Sequence, residues 1–173
     1  TLFPYTTLFR STPEMVKTTK FAIMLGGNLG DSAAIFRGAL DRLAAAGCRE
    51  LRMSRIFRGP AVDCVPGTPD FSDAAVTGEW DGTAPELFGL CREIERGAGR
   101  PAEHSSRESR TLDIDLILFG DEVIDTPELK VPHPRAQIRR FVLEPLSELL
   151  PDVRFPDSGR KIGECLRILP PEV

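Results

Sequence analysis

Asp113 and Asp115 stand two apart inside the otherwise apolar run Thr111-Leu-Asp-Ile-Asp-Leu-Ile-Leu-Phe119. In a strand, where side chains alternate, both carboxylates fall on one face and Ile114 on the other. Two carboxylates side by side repel, and burying them uncompensated costs on the order of several kcal/mol, so they call for arginine or a divalent metal. Magnesium held by one or two carboxylates together with substrate phosphates is the usual arrangement in nucleotide enzymes. The plainer alternative is a pair on a solvated sheet face, or one neutralised by Arg110 alone. Arg100, Arg107, Arg110, Arg135, Arg139 and Arg140 flank the run. Guanidinium groups beside a carboxylate pair suit a site for polyphosphate and metal, although each arginine taken singly is an ordinary surface charge.

Other signals are weaker. Gly26-Gly-Asn-Leu-Gly30 invites a phosphate-loop reading, but it lacks the lysine and Ser/Thr of G-x-x-x-x-G-K-[ST], and a tight strand-to-helix turn explains it as well. No G-x-S-x-G elbow or H-E-x-x-H helix occurs, which argues against those hydrolase classes. His133 lies between prolines in Val131-Pro-His-Pro-Arg135, where the backbone is extended and restricted. Phe71 and Phe141 read as core aromatics, or as two walls for a flat ligand. Cys48, Cys64, Cys91 and Cys165 are scattered without a C-x-x-C pair, a pattern that favours small thiols in a reducing compartment over structural zinc.

The elements that must position these residues can be read from apolar periodicity and turn residues. Phe21–Leu25 reads as a buried strand closed by the glycine turn, and Asp31 as the N-cap of a helix carrying Ile35, Phe36, Leu40 and Leu43 up to Gly47. A second strand is expected over 51–57, a Pro/Gly-rich loop over 59–69 and a third strand over 71–80. Thr83-Ala-Pro-Glu86 forms a capping box for a helix with Leu87, Leu90, Cys91 and Ile94 on its buried stripe, ended by Gly97 and Gly99. Residues 101–109 read as a polar loop, a lid over the nucleotide. The aspartate strand 111–119 follows, then a short returning strand at 122–125 and a helix at 141–150 that holds Pro145 about its first turn. The order β-α-β-β-α-β predicts an α+β, ferredoxin-like sandwich with an antiparallel sheet and extra C-terminal elements.

A chain of 173 residues, 41% hydrophobic and 28% charged, fits one domain with a single core. Its formal charge of −4, with both signs interspersed, offers no basic stripe for nucleic acid. No apolar run approaches the roughly 20 residues that span a bilayer. The expected setting is therefore a cytoplasmic monomer acting on small molecules. Thr1–Ser11 resembles an in-frame translation of a DNA-sequencing adapter, so residues 1–14 are set apart as a lead and 15–173 as the domain. Met15 is then the natural start, and Tyr5, the one tyrosine, has no expected role.

Several segments together resemble the hydroxymethyldihydropterin pyrophosphokinases. They are Arg110-Thr-Leu-Asp-Ile-Asp-Leu-Ile-Leu-Phe-Gly120, Val131-Pro-His-Pro-Arg135, Arg139-Arg-Phe-Val-Leu-Glu-Pro-Leu146, Leu25-Gly-Gly-Asn-Leu-Gly30 and Pro69-Asp-Phe-Ser-Asp-Ala-Ala75. Ile94-Glu95 with Gly99-Arg100 is similar to the end of that family's second helix. The resemblance implies transfer of diphosphate from ATP, as co-substrate, to 6-hydroxymethyl-7,8-dihydropterin with release of AMP. It implies that Asp113 and Asp115 hold two magnesium ions, with Arg100 and Arg110 also in the catalytic set. Arg100, Arg110, His133 and Arg139 would contact the triphosphate, with Glu95 and Leu116 on the nucleotide side. Phe71 and Phe141 would sandwich the pterin, and Asn28, Gly59, Pro60, Val62 and Asp73 would line its pocket. Asp113, Asp115 or the metal alone would deal with the hydroxyl proton.

Three departures stand out. Ser106-Arg-Glu-Ser109 replaces a basic residue, tryptophan, glycine and proline, Asp73 replaces asparagine, and Phe71 replaces a frequent tyrosine. The alternatives are a pterin-binding domain that has lost turnover and an unrelated magnesium-dependent nucleotidyltransferase.

Overall fold

The computed structural model describes residues 17–61, 64, 66–99 and 109–171. Its elements run β1 (Thr18–Gly27), α1 (Ser32–Ala45), β2 (Arg49–Met53), β3 (Phe57–Gly59), β4 (Phe71–Asp81), α2 (Ala84–Gly97), β5 (Asp113–Phe119), β6 (Ile124–Asp125) and β7 (Lys130–Val131). A 3-10 turn at Ala136–Ile138, α3 (Arg140–Leu149) and α4 (Ile162–Ile168) complete the chain. The main sheet has the order β2-β4-β1-β5, with β3 continuing beside β4, and its pairings are antiparallel. This is the expected ferredoxin-like α+β arrangement.

Alternation along the central strands separates two cores. Phe21, Ile23, Leu25, Ala74, Val76, Ile114 and Leu116 meet Phe36, Leu43, Leu87 and Cys91 from α1 and α2. Ala22, Met24, Ala75 and Ile117 face the other way, toward Val142, Leu143, Leu146, Phe155 and Cys165. The extra C-terminal elements thus cover the second sheet face, which alternating strands such as these cannot leave bare. A bulge opposite Ala22/Ile23 resets the phase of β5, so Ile117 and Leu118 both fall in the second core.

The helix starts follow local chemistry. Asp31 accepts from the amides of Ala33 and Ala34, and Thr83 with Glu86 forms the reciprocal box on α2. The expected single strand over 51–57 is two strands, because at Ser54 the amide still donates to the Ala75 carbonyl at 2.9 Å while the hydroxyl, in place of the main-chain carbonyl, accepts from the Ala75 amide at 3.0 Å. Gly26 and Gly27, expected in a turn, belong to β1. The short strand expected at 122–125 pairs with β7 in a separate ribbon instead of rejoining the sheet. Pro145 sits in the second turn of α3, later than its sequence reading. Among the described residues no helix is long and apolar enough to cross a membrane.

Candidate active site

The site is built at one end of the second sheet face, where β1 runs into its glycines. Gly26 pairs with Asp73 on one side and Asp113 on the other, and Met24 pairs with Ala75 and Asp115. By the period of two, Phe71, Asp73, Asp113 and Asp115 share this face. A Cβ on Gly26 would come within 3.0 Å of the Asp73 carboxylate, so the glycine is what leaves room between the flanking acids. Gly27 answers a tighter constraint: a Cβ there would run into the carbonyl of Thr111, main chain that has nowhere to go.

Asn28 then ties three segments together. Its amide donates to the Arg110 carbonyl at 2.9 Å, and its side-chain oxygen accepts from the Arg110 amide at 2.8 Å. Its side-chain nitrogen donates to the Pro69 carbonyl and to Ser109 Oγ, each at 3.2 Å. The start of β4, the approach to β5 and the end of β1 are thereby fixed to one another.

Arg110 fills the space between an aromatic and an acid. Its guanidinium carbon lies 5.1 Å from the centre of the Phe71 ring, and Nη1 is 3.4 Å from Asp113 Oδ2. With side chains only 15% and 22% exposed, this pair is sheltered from the screening that weakens surface ion pairs. Arg139 lies over Phe141 in the same manner, at 5.4 Å. Phe71 and Phe141 are both half-buried, so each ring keeps accessible surface.

The acids and His133 feel one another. Burial and the neighbouring Asp113, only partly offset by Arg110, push the Asp73 carboxyl up to about 7. Burial, then Arg139 and Arg135, hold His133 below its ordinary value, against a weaker pull from Asp113. Its Nδ1 accepts from the Arg135 amide at 3.2 Å, which assigns the proton of the neutral ring to Nε2.

This arrangement of paired acids, arginines and half-buried aromatic rings coincides with a family match. The family model for 7,8-dihydro-6-hydroxymethylpterin-pyrophosphokinase (HPPK) aligns with residues 22–151. The chain belongs to that family. A 2-amino-4-hydroxy-6-hydroxymethyldihydropteridine pyrophosphokinase of Pseudomonas aeruginosa is 48% identical over 86% of this chain and 90% of its own. Its counterpart in Synechocystis is 39% identical over 82% of this chain and 72% of its own. A crystal structure of Plasmodium falciparum HPPK-DHPS superposes with a TM-score of 0.68 over 90% of this chain and 45% of that one, and at 13% identity the likeness concerns the fold alone.

Most residues matched to HPPK motifs meet here: Asn28, Phe71, Asp73, Arg110, Asp113, Asp115, His133, Arg139 and Phe141. Gly59 pairs with Phe71 and has open space where a Cβ would stand, and Pro60 follows it. Val62, Arg100, Arg107 and the 101–108 part of the expected lid lie outside the described residues. Leu116 is 3% exposed in the core beneath α1 and α2, so only its main chain is available to a nucleotide.

Glu95, expected on the nucleotide side, is 2% exposed and its oxygens are engaged within the protein. Oε1 accepts from the Ile114 amide at 2.7 Å, between the two aspartates, and Oε2 receives Arg92 Nη1 at 2.7 Å. Sequence reading missed Arg92: burial works against its charge, yet the bond to Glu95 and, at longer range, Asp115 and Asp113 hold its guanidinium above the ordinary value. Its i,i+3 spacing to Glu95 was the available signal. Arg140 is committed to Glu144 and to two carbonyls near the C-terminus.

Proposed function

We propose that the chain transfers the diphosphate of ATP to the hydroxymethyl oxygen of 6-hydroxymethyl-7,8-dihydropterin, a step of folate biosynthesis. A bond forms from the pterin oxygen to the β-phosphorus, the bond from that phosphorus to the bridging oxygen breaks, and AMP leaves with the oxygen. The observation that carries this reading is the same-face pair Asp113 and Asp115 beside Arg110, whose guanidinium lies over Phe71, with Phe141 packed against the core on that face of the sheet.

The donor set fits magnesium, since it consists of carboxylate oxygens alone and two acids suffice where phosphates complete the shell. Two ions on Asp113 and Asp115 would supply charge neutralisation of the triphosphate and a lowered pKa for the attacking hydroxyl. The protein's own contribution is placement and electrostatics. Arg110, Arg139 and, by family resemblance, Arg100 take triphosphate charge. His133 donates from Nε2 as a neutral group. Glu95 acts by holding the β5 edge and Leu116 through its main chain. Phe71 and Phe141 stack on the pterin, within a pocket that also includes Asn28, Gly59, Pro60 and Val62. Asp73 as a carboxylate can accept from both the ring N3–H and the 2-amino group, where an asparagine has one acceptor oxygen. The hydroxyl proton passes to a carboxylate of the pair or to water. The working unit is read as a cytoplasmic monomer of one domain, residues 15–173.

Chelation tests the metal reading. AMP formation should stop in excess EDTA and return when magnesium is restored. Turnover that persists after chelation contradicts it.

A further inference from the structure

Arg140 lies between two site residues, Arg139 and Phe141, yet its guanidinium is bound to a distant part of the chain. Nε donates to the Pro170 carbonyl and Nη2 to the Leu169 carbonyl, each at 3.2 Å, while Nη1 meets Glu144 at 2.8 Å. The two carbonyls belong to the segment leaving α4, which ends at Ile168. Carbonyls at and beyond a helix end lack partners inside the helix, and a planar guanidinium can serve two at once.

The other end of this clamp is the start of α3, where such support is otherwise thin. The N-cap residue Arg139 makes no side-chain capping bond, and the first turn holds no acidic residue. Val142, Leu143 and Leu146 anchor the body of the helix in the second core, whereas Phe141 packs only at the rim. Leu169 packs at the rim of the same core. The segment that Arg140 grips is therefore a neighbour, through that core, of the ring that faces the site.

We propose that Arg140 is a positioning residue: by fastening the 169–170 segment to the first turn of α3 it fixes Phe141 as a wall of the ring-binding slot, and so sets affinity for the pterin. The proposal rests on the pyrophosphokinase reading. Arg140 touches neither substrate. Its effect belongs to ground-state binding of the flat ring, so it moves the KM for pterin and leaves the KM for ATP and kcat in place.

The test compares wild type, Arg140→Ala, Arg140→Lys and a chain ending at Ile168, by steady-state AMP formation and by hydrogen exchange of the 140–143 amides without ligand. Arg140→Ala and the shortened chain should each raise the pterin KM about 10-fold, with kcat and the ATP KM within about twofold. Arg140→Lys, which keeps the charge and can reach one carbonyl, should recover part of the loss. Combining Arg140→Ala with the shortened chain should raise the pterin KM by clearly less than the product of the two separate effects, because the bonds to the Leu169 and Pro170 carbonyls are lost in both. Exchange at 140–143 should quicken in both variants. Unchanged pterin KM and unchanged exchange in Arg140→Ala would overturn the clamp even if the shortened chain fails to fold, and a rise confined to the ATP KM would overturn it too. If wild type itself makes no AMP, the pyrophosphokinase reading falls, while the exchange readout still judges the clamp.

Discussion

Changing one member of the Asp113–Asp115 pair to asparagine keeps the shape of the site and removes a unit of charge. Asp113→Asn and Asp115→Asn should each lower AMP formation by several orders of magnitude with the melting temperature preserved, as expected for a lost metal ligand at a developing charge. Near-normal turnover in both variants would reject the metal role. Asp73 differs, because burial and then the nearby Asp113 favour its neutral form. With its folded pKa at about 7 against 3.8 unfolded, the native state binds more protons than the unfolded state between those values. Stability of the ligand-free protein, measured without metal, should therefore fall as pH rises from about 4 to about 7, and below about 4 Asp73 contributes nothing. Asp73→Asn should remove that fall, making the variant more stable than wild type at pH 8 by on the order of 1 kcal/mol or more, with little difference at pH 4. Urea titrations at the two pH values decide it, and equal differences at both would contradict the burial of Asp73 beside Asp113.

At the scale of elements, the contact that aligns the aspartates is the one between α2 and the outer edge of β5. Glu95→Ala strips the partner from the Ile114 amide and from Arg92 inside the protein, so it should destabilise the fold by about 2–4 kcal/mol and reduce turnover as well. Glu95→Gln keeps an acceptor for the amide and should cost less. A urea-measured loss below about 1 kcal/mol in Glu95→Ala would show that the edge does not depend on this bond. The bond from the Ile114 amide to Glu95 was not legible along the chain, since the two residues are 19 apart, whereas the buried stripe of α2 and the i,i+3 spacing of Arg92 and Glu95 were local signals. The caps at Asp31 and Thr83–Glu86 were legible because they are local hydrogen bonds between near neighbours. The face shared by Asp113 and Asp115 was legible for a similar reason, period two. That Asp73 joins them depends on β1 lying between β4 and β5, which alternation within one strand does not encode. The break at Ser54 was likewise hidden, because the hydroxyl's partner, the Ala75 amide, comes from another strand.

At the scale of the whole molecule, the described fold begins with β1 at Thr18 and the family match at residue 22. Deleting Thr1–Glu14 should leave melting temperature and AMP formation unchanged, in keeping with the adapter-like character of that stretch. A drop of several degrees would show that it belongs to the fold. The two-sided architecture, with α1 and α2 beneath the sheet and α3 and α4 above it, places the acids of β5 and the ring of α3 on one side. That common side is what the proposed function requires, phosphate chemistry and pterin stacking in one site. Incubation with ATP, magnesium and 6-hydroxymethyl-7,8-dihydropterin, followed by separation of the products, tests the account most directly. It should yield AMP and pterin diphosphate in equal amounts, and no AMP when the pterin is left out. Pterin binding without AMP, or AMP released at the same rate with and without pterin, would contradict it.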